Sequence, residues 1–466
     1  MCPATSTRRG FLRMVGLGAV AAAVCTRLLG QEARRGDRPN VLLVFTDDQG
    51  TLDANCYGST DLYTPAMDSL AASGVRFTQA YAHTVCCPAR AMLLTGRHPQ
   101  RSGVNTWTQG DPKTPKGVNM HIEETTLAEA LRGAGYRTAL FGKWHLGAAF
   151  DSGPTEQGFD EFFGLRDGFI DNYNHFFLHG KGYHDLYRGK EEVFRRGEYF
   201  PDLVTAEALR FIERNKDRPF FLYLAFNIPH YPEQSDPKFD ERYKHLPMPR
   251  RSYAKIISTT DDRMGQVLAK LGELGLRENT IVAFMSDNGH SVETYRIRVK
   301  DHASGLPEGH DYGANGGGGN TGKWRGAKGT FYEGGIRVPA MIAFPKRLPG
   351  GVVRNQAVIA ADFFPTILEL CGLPLPDVTL DGRSMLPVIK DPNAPSPHKV
   401  LHWQWQDQWA VREGDWKLIG RGNRGAELVN LAGEDPEREN FLKKRPEIAE
   451  HLTQLHKAWA EEVKPR

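Results

Sequence analysis

Residues Asn40-Val41-Leu42-Leu43-Val44-Phe45-Thr46 are almost wholly apolar, and the run stops at two acids, Asp47 and Asp48. A short run of this kind with no polar alternation predicts a strand covered on both faces, with the acids at its carboxyl end. A helix is predicted over 65–72, a strand over 75–81, a turn at Cys86 and a helix starting at Pro88. A helix over 126–132 leads to a strand over 136–141, which runs into Gly142-Lys143-Trp144-His145-Leu146-Gly147. A helix over 203–214 precedes a strand over 220–226 that ends at Asn227-Ile228-Pro229-His230. A helix over 253–274 precedes a strand over 280–285 that ends at Ser286-Asp287-Asn288-Gly289-His290. The βαβα alternation predicts an α/β fold, a large and mostly parallel sheet sandwiched by helices.

Four polar segments therefore begin where an apolar strand stops. In open α/β sheets ligands bind outside the carboxyl ends of the strands, so residues far apart in sequence can converge there. Between 290 and 328 the pattern lapses into a Gly-rich stretch, including Gly316 to Gly319, which is expected to be an active-site wall. A Pro-rich linker at 391–397 is followed by short alternating runs at 400–405, 409–412, 416–419 and 427–431, then a helical pattern over 446–461. The expected organisation is a catalytic domain over 37–390 and, over 391–466, a smaller α+β subdomain with an antiparallel sheet.

Thr7-Arg8-Arg9-Gly10-Phe11-Leu12-Arg13 precedes an uncharged stretch from Met14 to Cys25 that is too short to span a bilayer, the pattern of a twin-arginine export signal over 1–33. A lipoprotein anchor at Cys25 is less favoured, because Val24 is larger than the small residue expected before it. Losing Arg8, Arg9, Arg13 and Arg27 together with Glu32 takes the formal charge from +3 to zero. Nucleic-acid binding is thus disfavoured, no stable membrane span is expected, and the destination is periplasmic. The remaining cysteines, Cys56, Cys86, Cys87 and Cys371, are too few and scattered for a disulfide scaffold or a zinc site. Asp47, Asp48, Asp287 and Asn288 offer three carboxylates and an amide, hard oxygen ligands suited to one Ca²⁺, although each pair alone also suits a helix cap or a turn.

Cys86-Cys87-Pro88-Ala89-Arg90, followed by Ala91-Met92-Leu93-Leu94-Thr95-Gly96-Arg97, resembles the signature of the type I sulfatases of the alkaline phosphatase superfamily. Gly142 to Gly147, Pro229-His230-Tyr231-Pro232 and Gly326-Ala327-Lys328-Gly329 also resemble family segments, and five separated motifs occur in the family's order from about Pro39 to Asn440. Ala89 stands where Ser is more frequent, and the segment at Asp435-Pro436 is a residue short.

The resemblance implies that a maturation enzyme oxidises Cys86 to formylglycine, whose hydrate attacks sulfur with one hydroxyl and expels sulfate with the other by C–O cleavage. It implies that Arg90 holds this residue, which also contacts the calcium, while Thr95, Gly96 and Arg97 shape the turn. Lys143, His230 and Lys328 would bind the sulfate, His145 would be the base for the second hydroxyl, and His230 would protonate the leaving oxygen. The activity implied is a sulfuric ester hydrolase, arylsulfatase-like, acting on a carbohydrate or polysaccharide sulfate. A phosphonate or phosphate ester hydrolase using the same aldehyde, and a non-catalytic binder of sulfated glycans, remain as alternatives. Trp107 and the stretches Asp171 to His175 and His402 to Trp405 are candidate sugar contacts, with core packing as the competing reading.

Overall fold

The computed structural model describes residues 38–113 and 118–464, and from Pro39 onward the chain forms one unit. The export signal expected at 1–33, with Cys25, lies outside the described residues. In chain order the strands are β1 (Asn40–Asp47), β2 (Val75–Tyr81), β3 (Arg137–Lys143), β4 (Glu161–Leu165), β5 (Phe176–Phe177), β6 (Tyr183–His184), β7 (Tyr187–Arg188) and β8 (Glu191–Glu192). There follow β9 (Phe220–Pro229), β10 (Thr280–Ser286), β11 (Arg337–Ala343), β12 (Val352–Arg354) and β13 (Val358–Ile359).

The main sheet has the order β12-β2-β11-β10-β1-β9-β3-β4-β7-β8, with β13 also on β2. Its centre is parallel: β1 pairs with β10 and β9, and β3 with β9 and β4. Strand β11 runs antiparallel between β10 and β2, a reversal that an apolar pattern cannot announce. Registration does the functional work here, since Thr46 lies opposite Ser286 and Asp47 opposite Pro229. Three strand ends are thereby brought level.

Alternate residues of β1 enter different cores. Val41, Leu43 and Phe45 join the cluster on one face, and Leu42 and Val44 join the cluster on the other. Each such side chain, fully buried, stabilises by about 1.5–3 kcal/mol, which is why the run carries no polar position before its end. Helices Phe200–Arg214 and Arg250–Glu273 cover the second face. The helix before β3 starts at Leu127, where Thr126 Oγ1 accepts from the Glu129 N–H and the Glu129 carboxylate accepts from the Thr126 N–H.

Gly142, one residue before Lys143, has φ +121°, and a Cβ there would lie 1.8 Å from the Ala225 carbonyl oxygen of β9. Gly142→Ala is therefore expected to destabilise the protein by about 3 kcal/mol or more through backbone collision between two central strands. Thermal melting checks this, and an unchanged midpoint would contradict the register given for β3 and β9.

The C-terminal part is an antiparallel sheet of β14 (Val400–Trp405), β15 (Gln408–Glu413), β16 (Trp416–Arg421) and β17 (Arg424–Asn430), with helix Pro446–Glu462 against it. Trp403 Nε1 donates to the Ala82 carbonyl at 2.9 Å, and buried Lys417 pairs with Glu333 at 2.9 Å and Glu437 at 2.5 Å. These contacts fasten the small sheet to the edge of the large one.

Candidate active site

The helix that carries Cys86 spans Cys86–Thr95, two residues earlier than a start at Pro88. Val85 is extended and Cys86 is the first helical residue, so Pro88 sits in the first turn, where no intrahelical partner for its missing N–H exists. Cys86 is buried and, like Cys56, Cys87 and Cys371, forms no disulfide. Burial, then the Asp47 charge, pushes its thiol well above the ordinary value. An unmodified thiol at this position would stay protonated and be a poor nucleophile.

All the candidate ligands and catalytic groups come together around it. Asp47 ends β1 and Lys143 ends β3, and their side chains meet at 2.5 Å. Asp48 follows β1 in the left-handed region, φ 64°, and its Oδ2 lies 2.9 Å from Lys328 Nζ and 3.6 Å from His230 Nε2. Asp287, one residue beyond β10, accepts the Asp48 N–H at Oδ1, 3.0 Å, and Arg90 Nη2 at Oδ2, 3.0 Å. Asn288 donates to Asp48 Oδ1 at 2.6 Å. Arg90 also donates to the Lys143 carbonyl at 3.1 Å, stands 3.7 Å from Asp47, and lies over the Phe45 ring. One turn beyond Cys86 on the same helix, this arginine braces the ends of β1, β3 and β10.

Three carboxylates face three cations in a water-poor space. Burial and the Asp47 charge raise Asp287. For Asp47, burial is outweighed by Lys143, His230 and Arg90, and its carboxyl is held well below the usual range. Burial would lower Lys143 and Lys328, but Asp47 and Asp48 outweigh it and keep both ammonium groups charged.

The donor set fits a hard cation. Asp47 Oδ1 and Asn288 Oδ1 are buried without a hydrogen-bond partner, and ligand atoms of Asp47, Asp48 and Cys86 all lie within 4.8 Å of one another. Orphaned acceptors in such a place are costly unless a cation or water satisfies them.

His145 also has a positive φ, 54°, a strain of about 1–3 kcal/mol that turns the chain sharply after β3. Burial, then Lys143 and Arg90, lowers its pKa well below the ordinary value, so the imidazole is neutral. Its Nε2 lies 4.0 Å from Asp167 Oδ1, and its ring stacks on Trp107. His230 Nδ1 points at the Tyr231 carbonyl, 2.5 Å, which leaves Nε2 as the atom aimed at the site.

A cavity of 230 Å³ is lined by Cys86, His145, His230 and Lys328, with Trp107, Phe169 and Tyr231 among its walls. Glu293, Tyr295, His179 and Gln109 line it too and were not among the residues singled out from the sequence. They sit on irregular loops, where no periodic signal marks a lining position. The stretch after His290 does supply a wall, as expected of it. Of the candidate sugar contacts, Trp107 reaches the cavity. Trp403 and Trp405 are core residues, His402 stacks on Trp459, and Asp171, Asn172 and His175 are buried: Asp171 accepts N–H groups of its own loop, Asn172 accepts from Asn227, and the His175 ring faces the Glu198 carbonyl.

Cations paired with buried carboxylates beside this cavity, at the carboxyl edge of the sheet, mark a hydrolase of small anionic esters in the alkaline phosphatase superfamily. The chain belongs to the sulfatase family: the Sulfatase family model matches residues 39–373, and one described as N-sulphoglucosamine sulphohydrolase, C-terminal, matches 323–464. The chain is a sulfuric ester hydrolase. It is 34% identical to human (Homo sapiens) arylsulfatase A over 405 residues, 81% of this chain and 74% of that protein. It is also 34% identical to N-acetylgalactosamine-6-sulfatase of Canis lupus familiaris over 398 residues, 81% and 71% of the two chains. Among solved structures, Ps i-CgsB in complex with k-i-k-neocarrahexaose superposes with a TM-score of 0.76 at 27% identity, covering 91% of this chain and 92% of that one.

Proposed function

We propose that this enzyme releases inorganic sulfate from a sulfated carbohydrate, with residue 86 as formylglycine and one Ca²⁺ at the acidic cluster. The observation that carries the reading is the convergence of Lys143, His145, His230 and Lys328 on buried Cys86, beside carboxylate and amide oxygens left without donors. The carbohydrate class is supported by the names of relatives and neighbours, an N-acetylgalactosamine-6-sulfatase and a structure holding a neocarrahexaose. The reading includes oxidation of Cys86 by a maturation enzyme before twin-arginine export of the folded chain to the periplasm.

The formylglycine hydrate supplies an oxygen nucleophile together with a second hydroxyl through which the aldehyde is regenerated. Asp47, Asp48, Asp287 and Asn288 would hold the calcium, which supplies positive charge beside the sulfate oxygens. The chain's own groups divide the rest. Lys143 and Lys328 stay charged and pair with the oxyanion. His145, neutral in its pocket, takes up a proton on a ring nitrogen. His230, with Nδ1–H committed to the Tyr231 carbonyl, delivers a proton from Nε2 to the leaving oxygen as the imidazolium, the form that burial and Lys328 disfavour and Asp48 and Asp47 favour. Arg90 acts as a positioning residue that keeps the three strand ends in register.

A phosphate or phosphonate monoester is the second reading, because phosphoryl and sulfuryl groups share their size and tetrahedral oxygens. A sulfate monoester is a monoanion, and two lysines with a single divalent ion make a milder field than a two-metal phosphatase site. The test compares 4-nitrophenyl sulfate with 4-nitrophenyl phosphate, and then a set of defined sulfated oligosaccharides, before and after calcium chelation. Preference for the sulfate, sulfate release from at least one oligosaccharide, and loss of activity on chelation that calcium restores are expected. A preference for phosphate, or activity indifferent to chelation, would reverse the reading.

A further inference from the structure

The segment after His290 alternates. Tyr295, Ile297 and Val299 pack into an aromatic cluster with Phe169, Tyr231 and Tyr312, while Arg296, Arg298 and Lys300 are exposed. Ile297 is fixed by backbone bonds, its N–H to the His310 carbonyl at 2.9 Å and its carbonyl from the Gly309 N–H at 2.8 Å. The arginine row is thus set on an anchored edge with a period of two.

Tyr295 is a shared wall. One side of it lines the catalytic cavity, and it also lines a second cavity of 580 Å³ together with Thr294, Arg296, Arg298, Asp311 and Asn315. The acid of this second cavity, Asp311, is paired with Arg296 at 3.7 Å. Arg298 makes no ion pair among the described residues, so one guanidinium in the second cavity is uncompensated.

The catalytic cavity has the opposite bias at its outer wall. Glu293 is held by donors from Ser291 Oγ and Tyr295 Oη, both at 2.9 Å, and stands 3.5 Å from Lys328. Paired with Lys328, it presents a carboxylate to the cavity. A second anionic group beside the scissile ester would face this charge at close range. Across Tyr295 it would meet Arg298 instead.

We propose that the cavity formed by Thr294, Tyr295, Arg296, Arg298 and Asn315 is a subsite for the adjoining unit of the substrate, and that Arg298 binds an anionic group, sulfate or carboxylate, on that unit. The inference rests on the sulfated-carbohydrate reading above and adds that the substrate carries a second negative charge one unit from the ester that is cleaved. Guanidinium is suited to both oxyanions because its planar fork matches two of their oxygens.

The test is binding of sulfated dextran oligosaccharides, with neutral dextran oligosaccharides as the control, to the Cys86→Ala protein with and without Arg298→Glu. Turnover of 4-nitrophenyl sulfate by the Cys86-containing Arg298→Glu enzyme is measured in parallel. The sulfated ligand should bind about tenfold more weakly to the charge-reversed protein at low ionic strength, with the gap narrowing in salt, while aryl sulfate turnover stays within about twofold. Equal affinities in the two proteins, equal affinity for neutral and sulfated ligands without the reversal, or aryl turnover falling in step would overturn the subsite. Sulfate release from oligosaccharides is a separate readout: binding through Arg298 without release would sink the substrate class and leave the subsite standing.

Discussion

Cys86→Ala is expected to lower sulfate release by roughly 10,000-fold or more, while the thermal midpoint shifts by no more than about 1 kcal/mol of stability would produce. The two halves follow from different observations. Cys86 is a small buried side chain in the first turn of a helix whose remaining residues are packed independently of its sulfur, so little of the fold depends on it. Lys143, His145 and Lys328, by contrast, are gathered around that position, and none of them is a strong nucleophile: Lys143 and Lys328 are held protonated by Asp47 and Asp48, and His145 is a buried neutral imidazole. What survives in the variant is binding and charge stabilisation. Release assays with 4-nitrophenyl sulfate beside melting curves check both halves, and retained turnover in a folded variant would mean that the oxygen nucleophile comes from elsewhere.

His230→Ala should separate substrates by their leaving groups. An alkoxide leaving from a sugar needs a proton, and loss of a positioned acid removes a factor of about 100–10,000. A nitrophenolate leaves without one, so aryl sulfate turnover should fall by about tenfold or less, the residue reflecting lost contact with the sulfate. The geometry behind the expectation is the Nδ1 contact with the Tyr231 carbonyl, which fixes the ring with Nε2 toward Asp48 and the cavity. Equal losses on sugar and aryl sulfates would assign His230 to binding alone.

How far these roles could be read from the chain depended on what kind of signal each residue carries. Asp47, Lys143, His230 and Asp287 lie at the ends of apolar runs, and because those runs are the parallel central strands of one mixed sheet, adjacency in space followed from strand ends alone. The small C-terminal sheet was legible for a similar reason, since its alternating runs are separated by short turns at residues 406–407, 414–415 and 422–423. Strand direction was not legible for β11, whose residues look the same run either way. The helix start at Cys86 was hidden by Pro88, which signals a first turn without fixing which of its positions it occupies. His179, Glu293 and Gln109 reach the cavity from loops, where contact depends on backbone turns and not on spacing. Trp403 and Trp405 illustrate the opposite failure: aromatic composition suggested sugar stacking, yet a sheet that must attach to a larger one needs buried aromatic surface, and these rings supply it.

The charge pattern of the site also explains why the sequence could suggest its chemistry before its geometry. Three acids and three bases of fixed charge in a buried space are unfavourable unless they pair, and here they do so at the ends of three strands, β1, β3 and β10. Asp48 and His145 add backbone strain at the same place, both with positive φ. Local preference yields to the geometry of a site only where the surrounding packing is strong enough to hold it, and β1 is buried along its whole length.

The most direct test of the account is peptide mass spectrometry of the active enzyme, purified from a host that carries the maturation enzyme and digested to isolate the peptide with Cys86-Cys87-Pro88-Ala89-Arg90. The account predicts an aldehyde at position 86, with oxygen in place of sulfur and two hydrogens lost, in proportion to specific activity. Full activity in a preparation whose residue 86 is still an intact cysteine would contradict it.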